Sequence, residues 1–162
     1  MLAATFSRIG DTSLVARTPA PVAGPGDVVV DVIAAPVLAY AREIISGKRP
    51  MLVELPLVPG TGAIGRVSAV GTGATTIEIG SWVYCDPMLR SRDGEGLPAI
   101  SLQGLTANGP AALPIFRQYP NGSWAEKLCL PLENVVPLGD IKADDAARWL
   151  ALGTMLVPYG AC

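Results

Sequence analysis

The most continuous apolar run is Asp27–Ala35, DVVVDVIAA, where hydrophobic side chains occupy both alternating faces. An extended strand with two apolar faces is buried on both, which predicts a central strand. Shorter runs at Leu2–Arg8 and Ser13–Arg17 flank Gly10-Asp11 and predict a hairpin. Ile64, Val67, Ala69 and Val70 form another β-type run, and Ser81–Cys85, Gly122–Leu130 and Pro131–Pro137 predict further strands. Helical spacing is confined to two places. Leu38, Ala41, Ile44 and Ile45 recur with a helical period inside Pro36–Gly47, with Gly47 as the stop. Lys142–Leu152 carries two acids near its start, where they suit the helix dipole. Thr18–Gly26 and Lys48-Arg49-Pro50 are polar breaks, and Asp86–Gln118 is a long polar, Gly/Pro-rich insertion of functional or disordered character.

The stretch Pro56–Val83 organises the chain, with glycines at 60, 62, 65, 71, 73 and 80. Gly60-Thr61-Gly62-Ala63-Ile64-Gly65 spells G-x-G-x-x-G, the dinucleotide fingerprint. That motif needs a strand before it and a helix opening at its third glycine, where the pyrophosphate sits. Here Pro56 and Pro59 interrupt the preceding segment, and Arg66–Val70 is β-branched and ends at Gly71-Thr72-Gly73. The segment is therefore expected to be a strand.

Composition sharpens this picture. Half of the 162 residues are hydrophobic and 16% are charged, which predicts one domain with much surface to bury. The 18 glycines and 15 prolines are scattered, which favours short strands and loops over long helices. A net charge of −2 gives no reason to expect nucleic acid or an anionic membrane surface. The uncharged tail 149–162 contains Pro158 and is too short to span a bilayer, and no signal peptide is expected at the N-terminus. Three cysteines, Cys85, Cys129 and Cys162, without C-x-x-C spacing, suit reduced thiols and a cytoplasmic setting. With no histidine in the chain, a serine–histidine or cysteine–histidine nucleophile is excluded.

Pro59-Gly60-Thr61-Gly62-Ala63-Ile64-Gly65-Arg66-Val67-Ser68-Ala69-Val70-Gly71, followed by Gly80-Ser81-Trp82-Val83, resembles the pattern P-G-H-E-x-x-G-x-V-x-x-V-G…G-D-x-V of the medium-chain dehydrogenase/reductase family. Gly122–Leu130 resembles that family's G-x-[FYW]-A-E-[YH] strand. The resemblance implies a mainly β (α+β) fold, a GroES-like partly open β-barrel with short helices. It implies a catalytic domain at 1–140, with the insertion at 86–118, and a helix at 141–162 leading to a Rossmann domain that this chain lacks. Thr61 and Gly62 stand where relatives carry His and Glu, and the family's cysteine ligand falls near Pro36. That implies the zinc-free branch, in which NADP or NAD, held mostly by the other domain, delivers hydride to a carbonyl or activated alkene.

Within that resemblance Tyr40, in Ala35-Pro36-Val37-Leu38-Ala39-Tyr40, takes the place of a tyrosine in the first active-site segment. It either donates a hydrogen bond to a developing oxyanion or is a half-buried tyrosine with one wet end. Thr61 lines the substrate pocket or caps a turn, and Val37 is expected to line the same pocket. Leu156 and Val157, next to Pro158-Tyr159 where relatives have T-A-Y, are the expected cofactor contacts. The expected partners are a small-molecule substrate and, through residues 149–162, a second copy or a nucleotide-binding domain. The alternative is a non-catalytic relative that keeps the barrel as a binding module.

Overall fold

A computed structural model describes residues 1–11, 14–94 and 96–160, and for residue 14 and residues 156–160 the backbone only. Among the described residues, ten strands and three α-helices follow one another. The central element is β3 (Asp27–Ala34), paired antiparallel to β4 (Ala63–Val70) on one side and β9 (Lys127–Pro131) on the other. β5 (Trp82–Cys85) and β10 (Val135–Pro137) extend this into a five-stranded sheet in the order β10-β5-β4-β3-β9. Val28, Val30, Val67, Val83, Cys85 and Leu130 fill its inner face, each almost wholly buried. The two-sided apolar run of β3 is thus explained by its central place, as its pattern predicts.

β1 (Leu2–Thr5) and β2 (Leu14–Arg17) form the expected hairpin; the predicted strand start at Ser13 lies outside the described residues. Gly60–Gly65 is not a phosphate loop. It runs straight into β4, which continues to Val70 as a strand.

The described residues of the insertion 86–118 fold into strands and a helix rather than a structureless loop. β6 (Met88–Arg90), β7 (Ile100–Leu102) and β8 (Thr106–Ala107) make a three-stranded sheet, covered by α2 (Leu113–Gln118). Phe116 of α2 packs with Leu57, Ala107 and Ala112 in a second small core. Buried apolar side chains spaced far apart in sequence give this segment its own core, which a local polar average conceals. The first predicted helix is shorter than its periodicity suggests: Pro36–Ala39 is irregular, and α1 spans only Ala41–Ile45.

A short 3-10 turn leads into α3 (Ala146–Gly160), which packs one face onto the sheet. Ala146 and Leu150 join Ile64, Trp82 and Tyr84 in a third cluster. The Tyr84 hydroxyl donates to the Gly153 carbonyl at 3.0 Å. Its phenol is held well above its ordinary pKa, chiefly by burial and then by the Asp86 charge, so it stays a donor. The other face of α3 leaves Trp149, Leu152 and Met155 exposed.

Gly153 sits so close to the Tyr84 ring that a methyl group would overlap it. Gly153→Ala gains about 1 kcal/mol of helix propensity, but overpacking against a buried ring costs about 1–3 kcal/mol. The expected outcome is a lower urea midpoint with an unchanged slope. A higher midpoint would mean that α3 does not rest on Tyr84.

Candidate functional site

Segments distant in sequence converge around Thr61. Phe6 and Leu57 exchange backbone hydrogen bonds at 2.8 and 3.0 Å. On the other side of the same segment, Gly122 N–H donates to Val58 at 2.7 Å, Trp124 N–H to Pro59 at 2.9 Å and Ser123 N–H to Gly60 at 3.1 Å. Such close backbone approach needs glycine. At Gly60, whose φ is +109°, an added methyl would lie 2.5 Å from the Trp124 ring and 2.8 Å from its amide nitrogen. The Gly104 and Gly122 backbones press against the Gly60 carbonyl in the same knot.

The knot holds the Trp124 indole over Pro36, to whose carbonyl Nε1–H donates at 2.9 Å. A cavity of about 40 Å3 remains, walled by Pro36, Leu38, Ala41, Ile44, Thr61 and Trp124 among others. It holds one side-chain hydroxyl, that of Thr61, in apolar surroundings.

The sequence-predicted residues are distributed around this cavity rather than gathered in it. Thr61 lines it. Tyr40 sits at the N-terminal end of α1 outside the lining, with the Arg49 guanidinium 4.3 Å from its ring centroid, a cation–π contact. Val37 is 75% exposed and also outside the lining. Leu156 and Val157 fall in α3, but their side chains lie outside the described residues. Trp124 and Pro36 were missed as site residues. The G-x-[FYW]-A-E strand carries Trp124, but only its backbone pairing with Pro59 turns the ring inward.

No strong acid or base emerges close by. Cys85, whose carbonyl faces Gly62, is fully buried and its thiol is pushed up to about 12 by that burial. Among the described residues no three His, Cys, Asp or Glu side chains approach closely enough to hold a metal.

Residues 24–140 match the alcohol dehydrogenase GroES-like domain. The chain belongs to that family. The medium-chain dehydrogenase/reductase resemblance and the GroES-like fold are thereby shown. The chain is 27% identical over 139 residues to an L-threonine 3-dehydrogenase of Sinorhizobium fredii, covering 81% of this chain and 37% of the relative. It is 38% identical over 60 residues to a mitochondrial enoyl-[acyl-carrier-protein] reductase of Bos taurus, covering 37% of this chain and 16% of that one. In structure it resembles an alcohol dehydrogenase of the archaeon Aeropyrum pernix, with a TM-score of 0.77 at 18% identity over 94% of this chain and 44% of the other. The chain therefore spans less than half the length of these relatives.

A zinc-binding dehydrogenase is among the GroES-like neighbours, so zinc must be tested against the residues present. It does not fit this cavity. Its walls offer a proline, a threonine hydroxyl and aliphatic carbons, and the Pro36 carbonyl is already bonded to Trp124. A dinucleotide does not fit Gly60–Gly65 either, because no helix N-terminus opens there.

Two outcomes follow. Gly60→Ala places a methyl against Trp124 in a backbone conformation that disfavours side chains. It should cost about 2 kcal/mol or more in denaturant unfolding and alter Trp fluorescence. Cys85 binds its proton more tightly folded than unfolded, its pKa rising from 9.0 to about 12. Its contribution is whole below the unfolded value and is lost as pH rises toward the folded one. Between about pH 8 and about pH 10.5, Cys85→Ala should therefore lose less stability than the parent chain. Equal losses would show that the folded Cys85 thiol ionises over the same range as the unfolded one, so that burial does not raise its pKa.

Proposed function

We propose that this chain is the catalytic-domain portion of a zinc-independent, NAD(P)H-dependent oxidoreductase acting on a carbonyl or activated alkene. The observation that carries the reading is the cavity wall at Pro36, Thr61 and Trp124, where a hydroxyl and an indole stand in an apolar niche without metal ligands. The threonine dehydrogenase and enoyl reductase relatives support a dehydrogenase or reductase class. A bound nicotinamide, NADP or NAD, supplies the hydride; in this reading it is held mainly by a further domain of the kind the relatives' extra length accommodates.

The chain's own contribution is on the substrate side. Thr61 donates a hydrogen bond to the substrate oxygen while the walls exclude water, which strengthens that bond as charge develops. Tyr40, stacked under the Arg49 guanidinium, supplies a second donor to the substrate oxygen. Trp149, Leu152 and Met155 on α3 face the nucleotide-binding domain or a second copy. The free thiols of Cys85 and Cys129 suit a cytoplasmic setting, and no described helix is long and apolar enough to cross a membrane. The small cavity favours a second reading, a non-catalytic binding module, because about 40 Å3 admits little beyond a water-sized group without movement of Trp124.

The test compares this chain with a version extended through a nucleotide-binding domain. The short chain should show no saturable NADPH fluorescence change at micromolar concentration. The extended one should oxidise NADPH with a quinone or enone, contain no stoichiometric zinc, and lose about tenfold in kcat/KM on Thr61→Val. Stoichiometric zinc, or no turnover despite tight NADPH binding, would overturn the proposal, the latter in favour of the binding module.

A further inference from the structure

A second and larger cavity lies apart from the site around Thr61. It encloses about 610 Å3 between the N-terminal hairpin, the 18–22 loop, the 119–121 segment and β9, and shares only Leu57 with the smaller one. Its volume falls in the range of small-molecule sites, about 300–1,000 Å3. Pro19, Pro21, Pro56, Val58 and Pro120 give it stiff apolar walls.

Polar groups also line it: the hydroxyls of Thr5 and Thr18, buried without a hydrogen-bond partner among the described residues, and the amide of Gln103. Gln103 is 2% exposed and lines the cavity. Its amide nitrogen is committed, donating to the carbonyls of Asn121 at 2.9 Å and Cys129 at 2.7 Å. Both donor hydrogens are used, so Oε1 is fixed on the other side of the amide, and no donor among the described residues reaches it. The described protein groups leave this acceptor open, and a ligand that donates a hydrogen bond satisfies it.

The charges around the cavity balance. The Lys127 ammonium is paired with Asp31, and the Met1 amino group donates to Thr18. The Asp27 carboxylate accepts the Tyr119 hydroxyl at 2.7 Å. The Tyr119 phenol is raised by burial and by that bond, which keeps it the donor of the pair. Neither an anion nor a cation is singled out. We propose that this cavity is a second binding site, for a neutral, largely apolar molecule that presents one hydrogen-bond donor to Gln103 Oε1. The site is independent of the oxidoreductase reading, since Leu57 alone is common to it and the Thr61 cavity.

The probe is 2-naphthol, with its methyl ether as the analogue that cannot donate and 2-naphthoate as the anionic one. Chemical-shift titrations of the full chain follow the Gln103 side-chain amide, Cys129 and Tyr119. Naphthol should give saturable shifts there at about millimolar concentration or below, with the ether and the naphthoate each about tenfold weaker. Ala20→Trp, a substitution at an exposed position on the rim, should block naphthol by about tenfold with the fold intact. The proposal is overturned by absence of saturation, by equal binding of the ether, by indifference to Ala20→Trp, or by shifts confined to Thr61 and Trp124.

Discussion

Backbone contact at Gly60 is the constraint on which the site depends. The Gly60 carbonyl lies against Gly104 and Gly122, and the chain on either side is stitched to 122–124 by hydrogen bonds. Three segments, from the approach to β4, the insertion and the approach to β9, therefore meet at van der Waals range. A Cβ at these positions would hold them apart, so the juxtaposition is available only to glycine. Everything functional nearby inherits its position from that contact: Thr61 is the next residue after Gly60, and Trp124 the second after Gly122.

The same economy governs the chain's end. α3 is neither a free linker nor simply part of the core. Ala146, Leu150 and Gly153 bind it to Ile64, Trp82 and Tyr84, whereas Trp149, Leu152 and Met155 remain at the surface. A helix with apolar side chains on two faces has two neighbours to satisfy, and the barrel supplies one of them. The described side chains of 149–155 thus combine a structural face with an exposed one, and apolar length alone does not separate the two roles.

Around the Thr61 cavity, backbone geometry and side-chain chemistry are separable. The glycine framework that shapes the strand and its approach is backbone geometry and is indifferent to the side chains it presents. Thr61, Gly62 and Pro36 carry no strong metal-ligating side chain, and the pairing of 57–60 with 6 and 122–124 runs through the backbone. The indole of Trp124 then fills space and satisfies the Pro36 carbonyl.

By itself the sequence determined the central strand, the N-terminal hairpin, the helical C-terminus and the extended nature of Gly60–Val70. These are set by local periodicity, by proline and by β-branching, which act within a few residues. The absence of histidine restricted the chemistry equally directly. Only the tertiary structure decided that 86–118 folds around Phe116, that Tyr40 lies outside the cavity which Thr61 lines, that Trp124 turns inward, and that Gln103 is buried with its oxygen free of a donor. Each of those depends on contacts between residues tens of positions apart. A side chain's direction, its burial and its hydrogen-bond partners belong to the assembled neighbours, which no local pattern along the chain records.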